Sequence, residues 1–196
     1  NEAMPAIDAN TLAEHRQRRH DALIAATCTI LLNEGAAAVT MASVAARTGL
    51  SRTAIYEYYR SANDIVADVV VDEMMAWNDH LTAATADIAD PGQRLEAWLR
   101  AALGYVADGR HAIVRATADA SLPPARRAQV RSLHQQLAAP IVSALTELHV
   151  AEPEQVAAFI WGTVDAATRR IEAGRATEDE VDAVVTFTFA GITAIA

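Results

Sequence analysis

Apolar residues recur along most of the chain at intervals of three or four positions, the spacing that places side chains on one side of an α-helix. The first clear stripe runs through Leu23, Ile24, Thr27, Ile30 and Leu31. It predicts a long first helix from about Thr11 to Asn33. Thr11 and Glu14 have the spacing of a capping box, which marks a helix start, and Gly35 suits the left-handed position that ends a helix.

Two short helices follow, with a tight turn between them. Thr40 is placed to cap the first, Met41–Arg47, and Ser51 to cap the second, which we expect to reach about Tyr59. The turn at residues 48–50 contains a glycine. Two short helices joined in this way predict a helix-turn-helix.

The rest of the chain predicts further helices and no strand. Their expected spans are Ser61 or Asn63 to about Ala86, Pro91 to before Gly109, about His111–Ala120, about Ala125–Leu148, Pro153–Ala173 and Glu178 to about Ile195. Pro140 should kink the fourth of these, and Thr177 with Glu180 suits a capping box for the last. We therefore predict an all-α protein of about nine helices. A three-helix head with the helix-turn-helix would occupy residues 11–61, and a second helical domain residues 62–196.

The amino-acid composition also favours a helical protein. The chain has 45 alanines, 8 glycines and 6 prolines, which argues against a β-sandwich or barrel, and its 52% hydrophobic content argues against disorder. The uncharged stretch Ala183–Ala196 is too short to span a bilayer, and the single Cys28 excludes an internal disulfide. We expect a cytoplasmic protein without a membrane partner.

The net charge of −9 is unevenly distributed. Residues 1–61 carry six arginines and six acidic residues, so the whole net charge falls on residues 62–196. A neutral head that bears arginine, joined to an acidic body, is compatible with one face that meets phosphate while the rest repels it.

Candidate DNA contacts lie on the second short helix. Burial of Val44, Leu50 and Ile55 in the head would leave the opposite side free, with Arg52, Thr53, Tyr56 and Tyr58. Arginine binds guanine edges or phosphate, and threonine and tyrosine hydroxyls bond phosphate or bases. An ordinary helical hairpin whose tyrosines pack internally explains the same spacing equally well.

At these residues the stretch Leu23–Val70 resembles the DNA-binding domain of the tetracycline-repressor (TetR) family. The matching positions are Ala26, Gly35, Thr40, Val44, Ala45, Gly49, Leu50, Ser51, Ile55, Tyr56, Tyr59, Asp64 and Ile65. Two positions depart from the family pattern. Ala62 stands where the family usually has a lysine, and Tyr58 where it often has a histidine.

The resemblance implies an operator in double-stranded DNA, with the second short helix in the major groove. Thr40 and Ser51 would then contact the DNA, Arg52 would read bases, and Thr53 would contact a base or a phosphate. Tyr56 and Tyr58 would bind phosphate. Glu57 lies on or beside this side and would repel phosphate. Arg16, Arg18 and Arg19 stand at the start of the first helix, where family members sometimes add backbone contacts. For these three we expect a solvated charge run instead.

The resemblance also gives the C-terminal helices two tasks, pairing two subunits and binding a small ligand. Apolar stripes in residues 153–195 predict a homodimer through these helices, and burial within one subunit is the alternative. The candidate ligand site consists of Met74, Trp77, Trp98, Tyr105, His111, Leu137, Trp161 and Asp165, with Arg100, Arg115, Leu133 and His134 as further candidates. For each apolar or aromatic member, ordinary core packing is the alternative. We expect an apolar or aromatic effector with one polar group, answered by Arg100, His111 or Asp165.

The function that follows is a ligand-responsive transcriptional regulator, a repressor, that the effector releases from a pseudopalindromic operator. The rival is an enzymatic or small-molecule-carrying helical bundle whose helix-turn-helix has no function. The sequence shows no metal-ligand spacing, phosphate loop or nucleophile motif. We therefore expect no catalytic residue, no metal and no cofactor.

Overall fold

The computed structural model describes residues 7–109, 111–117 and 122–195. Within these ranges every regular element is a helix and no strand occurs, which confirms the all-α class. The helices are α1 Ile7–Glu34, α2 Met41–Thr48, α3 Arg52–Tyr56, α4 Ala62–Thr85, α5 Pro91–Ala107, α6 Ala112–Ala116, α7 Pro124–Glu147, α8 Pro153–Glu172 and α9 Thr177–Ile195. A 3-10 turn, Ala36–Ala38, lies between α1 and α2. None of these helices is both long and apolar enough to cross a membrane.

The contacts divide the chain into two compact units. The head comprises the described residues up to Val70 together with those from Ile113 to Arg127. Its core takes one fully buried side chain or more from each of α1 to α4, among them Leu23, Ile30, Val44, Ile55 and Ile65. The domain boundary after residue 61 remains a prediction.

The second unit, here called the body, comprises Val71–Ala112 and the described residues from Ala128 onward. Helix α5 packs against both α8 and α9, which also pack against each other. The largest fully buried side chains of this core are Met74, Leu95, Trp98, Leu99, Leu103, Leu137 and Ile141. Aliphatic and aromatic side chains thus fill the space between the helices, as the stripes predicted.

Several helix ends differ from the predicted ones. Helix α1 already includes Ile7, so the start at Thr11 is wrong. Helix α9 begins at Thr177. Thr177 is therefore a residue of the helix rather than its cap, and the Glu180 amide donates to the carbonyl of Ala176, so the predicted capping box is wrong. The Glu180 carboxylate accepts two hydrogen bonds from Arg170. Helix α7 continues through Pro140.

The recognition-helix candidate α3 is shorter than expected, since it ends at Tyr56 rather than Tyr59. The amides of Tyr58 and Tyr59 both donate to the carbonyl of Ile55, and that of Glu57 donates to Ala54. Such tightened bonds close the last turn of a helix. Helix α6 spans Ala112–Ala116, and the predicted continuation to Ala120 lies outside the described residues.

Candidate functional site

The helix-turn-helix of the head is held by local capping bonds. Thr40 Oγ1 accepts from the Ser43 amide at 3.0 Å, and Ser43 Oγ accepts from the Thr40 amide at 2.9 Å, which forms a capping box at the start of α2. Gly49 ends α2 in the left-handed region with φ of 68°. Ser51 then caps α3 by accepting from the Ala54 amide at 3.1 Å. These local bonds and the left-handed glycine set where α2 ends and where α3 begins.

One side of α3 is buried and the other is exposed. Ile55 is fully buried in the head core. Ser51, Arg52 and Thr53 are exposed, and Tyr56 is 50% exposed. Thr40 is also exposed, although its hydroxyl already serves the cap. The structure thus leaves available the polar side that the spacing predicted.

Most arginines of the head have no ion-pair partner. Within the described part of the chain no carboxylate pairs with any of the exposed arginines Arg16, Arg18, Arg19, Arg52 and Arg60. Arg47 differs, since it pairs with Glu34. Guanidiniums without an internal partner are available to an external anion.

The two tyrosines after α3 have different surroundings. Tyr58 is half-buried, and the guanidinium carbon of Arg16 lies 6.0 Å from the centre of its ring. Tyr59 is buried, and its hydroxyl donates to Asp68 Oδ2 at 2.9 Å and is hydrogen-bonded to His20 Nε2 at 2.8 Å. Asp68 also accepts from Arg126. Sequence reasoning placed Tyr59 in the core but missed this polar network, whose members are far apart in the chain.

In the body, most of the predicted ligand residues form one aromatic cluster. Trp77 stacks on Tyr105 at 5.8 Å between ring centres and lies edge-on to His111 at 5.2 Å. Trp161 lies 6.3 Å from Trp77 and 6.0 Å from Trp98. Met74 and Leu137 are fully buried in the same unit.

Two polar groups of this cluster lack a partner. Trp77 is 5% exposed and Trp98 is 1% exposed, yet neither indole N–H finds a hydrogen-bond acceptor in the described structure. Buried donors normally have partners, so each such N–H is a candidate contact for an external acceptor. The Tyr105 hydroxyl donates to Glu73, and His111 Nδ1 lies 3.3 Å from Glu172. Sequence reasoning named neither carboxylate.

The remaining candidates lie outside the aromatic cluster or at its edge. Asp165 is exposed and pairs with Arg169. Arg100 is exposed and donates to Glu96 at 2.9 Å and to Asp182 at 3.0 Å. His134 is exposed, and its ring lies edge-on to that of Trp161. Leu133 is half-buried. Arg115 belongs to the head rather than to the body.

Helices α8 and α9 carry an exposed apolar groove of about 270 Å³. Phe159 is 66% exposed and Phe187 is 67% exposed. The other lining residues are Val156, Ile160, Thr163, Thr188, Gly191 and Ile192. A contiguous apolar surface of this kind is characteristic of a site that another molecule covers.

Metal chemistry finds no support in the described ranges. Among residues 7–109, 111–117 and 122–195, no group of three or more histidine, cysteine, aspartate or glutamate side chains is placed to hold a metal ion.

Comparison with known proteins links the head to a family. Residues 23–69 match the model of the bacterial regulatory proteins of the tetR family. The resemblance to the TetR family is confirmed. No curated protein sequence matches the chain.

Solved TetR-like structures share the fold. A transcriptional regulator of the TetR/AcrR family from Thermobifida fusca is 19% identical with a TM-score of 0.72, over 87% of this chain and 96% of its own. FadR from Bacillus subtilis, solved with stearoyl-CoA, is 15% identical with a TM-score of 0.73, over 87% and 98%. AibR, solved with isovaleryl coenzyme A and operator DNA, is 18% identical with a TM-score of 0.71, over 86% and 97%.

One of the two departures from the TetR pattern lies at the start of α4. Ala62, in place of the usual lysine, is the first residue of that helix and is half-buried. The helix is capped instead by Ser61, whose hydroxyl accepts from the Asp64 amide at 3.2 Å and donates to the Asp64 carboxylate at 2.8 Å. Helix α4 therefore begins at Ala62 with a normal cap. The positive charge of the usual lysine is absent at this position.

Proposed function

We propose that this TetR-like protein is a transcriptional repressor that binds double-stranded DNA through α2 and α3. The observation that carries the proposal is the exposed and unpaired Arg52 on a helix whose opposite side is anchored by buried Ile55. An arginine so placed makes bidentate bonds to a guanine edge in the major groove. Thr53 contacts a base or a phosphate beside it.

The same face offers hydroxyls for the DNA backbone. Tyr56 and Tyr58 donate to phosphate oxygens, and Thr40 and Ser51 approach the backbone where α2 and α3 begin. Because phosphate contacts carry no sequence information, they fix the position of α3 while Arg52 provides base preference. Glu57, which is exposed next to Tyr56, limits how closely that end of α3 approaches phosphate.

The operator is pseudopalindromic because the protein binds it as a homodimer. We assign the dimer contact to α8 and α9, within residues 153–195, because Phe159 and Phe187 are left exposed on these helices. A second copy related by twofold symmetry would bring the same groove and the same phenylalanines to the contact. Two recognition helices then enter successive major grooves about 34–36 Å apart.

The effector site is the aromatic cluster of the body. An apolar or aromatic compound fits rings such as Trp77, Trp98 and Tyr105, and a hydrogen-bond acceptor on it would satisfy the unpartnered indole N–H groups. His111 is the polar candidate that lies within the cluster. The coenzyme A thioesters bound by FadR and AibR combine an apolar acyl group with a carbonyl acceptor, and so supply first compounds to test.

The effector acts by favouring one of two spacings of the recognition helices. Helix α4 is continuous from Ala62 to Thr85 and contributes Ile65 to the head core and Trp77 to the aromatic cluster. A ligand against Trp77 would displace this helix and with it the head. The ligand changes the equilibrium between the two spacings only to the extent that its affinities for them differ.

The DNA-binding proposal is tested by selecting bound sequences from a random duplex pool with the full chain. We expect an inverted repeat. Arg52→Ala should weaken binding to that repeat by roughly 1–3 kcal/mol per half-site and flatten base preference. Arg47→Ala is the matched control, because Arg47 lies in the same head but is paired with Glu34. Unchanged affinity and selectivity of Arg52→Ala would place the recognition surface elsewhere.

The effector proposal is tested by tryptophan fluorescence. Titration with isovaleryl-CoA and stearoyl-CoA should change the emission of the clustered tryptophans, and the same titration should release operator DNA. Trp98→Phe should keep the apolar packing and lower the affinity for an effector that accepts from the indole. A compound that saturates the fluorescence change and leaves operator affinity untouched would contradict the coupling.

A further inference from the structure

The chain just after α3 is held by a polar network that draws on three other helices. Tyr59 donates its hydroxyl proton to Asp68 Oδ2 of α4 at 2.9 Å. The other oxygen of that carboxylate, Oδ1, accepts from the guanidinium of Arg126 in the first turn of α7. His20 of α1 is hydrogen-bonded to the same tyrosine hydroxyl at 2.8 Å. All four residues belong to the head.

The hydrogen bonds of this network run toward Asp68. A tyrosine hydroxyl has one proton, and that of Tyr59 is directed to the carboxylate, so His20 must donate its Nε2–H to the tyrosine oxygen. An ionised carboxylate only accepts, and this one receives a hydroxyl on one oxygen and a guanidinium on the other. Asp68 is therefore the common acceptor that fixes the direction of the Tyr59 hydroxyl.

The central pair of the network is shielded from water. Tyr59 is 6% exposed and the side chain of Asp68 is 20% exposed. A charged carboxylate in such surroundings needs donors close by, because few water molecules can replace them. Arg126 supplies the cation that keeps the charge of Asp68 beside the tyrosine hydroxyl.

Tyr59 links this network to the recognition-helix candidate. Its amide donates to the carbonyl of Ile55 at 3.1 Å and so helps to close the last turn of α3. Helix α3 has only five residues, and a helix of that length does not hold its position by its own backbone bonds. The direction in which the exposed Arg52 leaves α3 therefore depends on how Tyr59 is held.

Arg126 lies on a helix that contributes to both units. Helix α7 is continuous from Pro124 to Glu147 and gives Leu137 and Ile141 to the core of the body, whereas Arg126 belongs to the head. Arg126 is half-buried and paired, so it is not one of the arginines that are open to an external anion. Its contribution to DNA binding must be indirect.

We propose that Arg126 is a positioning residue for DNA recognition: through Asp68 it holds Tyr59, and thereby α3, in the orientation in which Arg52 reads bases. The inference rests on the proposed DNA binding and deepens it, because sequence selectivity then depends on a residue of α7 that touches no DNA. Phosphate contacts tolerate small changes in the direction of α3, whereas bidentate bonds to a guanine edge do not. Loss of the Arg126–Asp68 pair therefore reduces selectivity more than it reduces affinity for any duplex.

The test compares the affinities of the full chain for the inverted repeat obtained by selection and for a mixed-sequence duplex of equal length. Arg126→Ala should lower the ratio of these affinities by about tenfold, the size expected when a hydrogen bond to a charged group is lost. Arg126→Lys should keep most of the ratio, because an ammonium group still pairs with Asp68.

Arg127 provides the matched control on the same helix. It is exposed, and it forms no ion pair within the part of the chain that the structure describes. Arg126→Ala and Arg127→Ala remove the same charge from neighbouring positions. Arg127→Ala should change both affinities by the same factor and leave their ratio unaltered, so a difference between the variants reports the network rather than the total charge.

A double-mutant cycle tests whether Arg126 acts through Tyr59. Tyr59→Phe keeps the buried ring and removes the hydroxyl, so it should lower the same ratio. Because both residues act along one chain of bonds, the double variant should lose no more selectivity than the more affected single variant. Thermal unfolding above the assay temperature establishes that each variant is folded, and Arg126→Met, which keeps the apolar stem, replaces the alanine variant if that one is not.

Three results would overturn this inference while the proposed function stands. They are a wild-type ratio for Arg126→Ala, an equal loss of ratio for Arg126→Ala and Arg127→Ala, and a double variant whose loss is the product of the two single losses. In each case the wild-type protein would still select an inverted repeat, and Arg52→Ala would still flatten base preference. Failure of the wild-type protein to bind any duplex would overturn the proposed function and this inference together.

Discussion

The head and the body use the same residue type in opposite ways. In the body, the arginines at positions 94, 100, 169, 170 and 175 each pair with a carboxylate. In the head, Arg16, Arg18, Arg19, Arg52 and Arg60 are exposed and have no such partner in the described structure. Most described arginines of the body thus form internal pairs, whereas these five arginines of the head are open to an external anion. Arg47 and Arg126 are the paired exceptions in the head, with Glu34 and Asp68.

Because of this difference, the total charge of −9 does not show which charged groups are available to a partner. Carboxylates of the body hold most of its described guanidiniums, and this pairing lowers the pKa of two of the carboxylates. Hydrogen bonding to Arg94 lowers the pKa of Glu147, and hydrogen bonding to Arg170 lowers the pKa of Glu180. Availability of a cation, rather than the sum of charges, indicates which surface is open to an anion such as phosphate.

The largest expected effect separates the tasks of the two regions. Phe159→Asp with Phe187→Asp should convert the dimer to monomers, because each subunit loses two large apolar contacts and gains charges that resist burial. The loss is about 3–6 kcal/mol for each phenylalanine position, since the position occurs twice in a symmetric dimer. Sedimentation measures the change, and operator affinity should fall although the head is unchanged.

Phe159 and Phe187 test the interface better than a buried apolar residue of the same helices, such as Val164 of α8, which is only 3% exposed in the single chain. A charge at Val164 would disturb the core of the body itself, so loss of the dimer would not identify the contact. Phe159→Leu is the control and should remain dimeric. Soluble dimers of the double aspartate variant would remove α8 and α9 from the interface.

A smaller effect compares the same chemical change in both regions. Tyr56→Phe removes an exposed hydroxyl of the head and should weaken binding to all duplexes alike, by about 1 kcal/mol per subunit. Tyr105→Phe removes a hydroxyl of the body, which donates to Glu73, and should leave DNA affinity unchanged. If a duplex titration showed that the two variants lose the same DNA affinity, the proposed difference between head and body would be contradicted.

The smallest effect concerns an internal pair of the body. Hydrogen bonding to Arg170 lowers the pKa of Glu180 below its ordinary value of 4.5. A carboxylate whose pKa is lowered on folding contributes stability above its ordinary pKa, and that contribution is lost as the pH falls through the lower, folded value. Arg170→Ala should therefore melt below the wild type at neutral pH, and the gap should close in acid.

Arg169→Ala is the control for this measurement, because its partner Asp165 is exposed and such pairs contribute little. Neither variant should change DNA affinity. A melting gap between Arg170→Ala and the wild type that stays constant into acid would contradict the role of Glu180.

Local signals were sufficient to predict the helices and the turn of the head. Thr40, Gly49 and Ser51 act within a few residues of their own positions, so their capping and turn geometry follows from spacing. The end of α3 was not predictable in this way. It depends on Tyr59 turning into the core, where its partners His20 and Asp68 come from other helices.

The candidate site residues also differ in how far the sequence predicts their surroundings. The exposed side of α3 follows from the burial of Ile55, and the sequence predicted it. The pairs Glu96–Arg100 and Asp165–Arg169 have i,i+4 spacing, a local signal that sequence reasoning did not use. The bond from Arg100 to Asp182 depends on packing between helices and was not predictable in this way. The concavity lined by His15, Arg16, Arg19, Glu57 and Tyr58 was missed because it needs α1 and Tyr58 side by side, a contact between distant parts of the chain.

Hydrogen–deuterium exchange of the full chain, with and without duplex DNA, tests most directly which region meets the DNA. Bound duplex should slow exchange of amides in residues 40–59, which include α2 and α3, because phosphate and base contacts stabilise the short helices. Exchange in residues 153–195 should stay the same at a protein concentration where the dimer is already formed. Slowing confined to residues 153–195, with residues 40–59 unaffected, would contradict the assignment of DNA binding to the head.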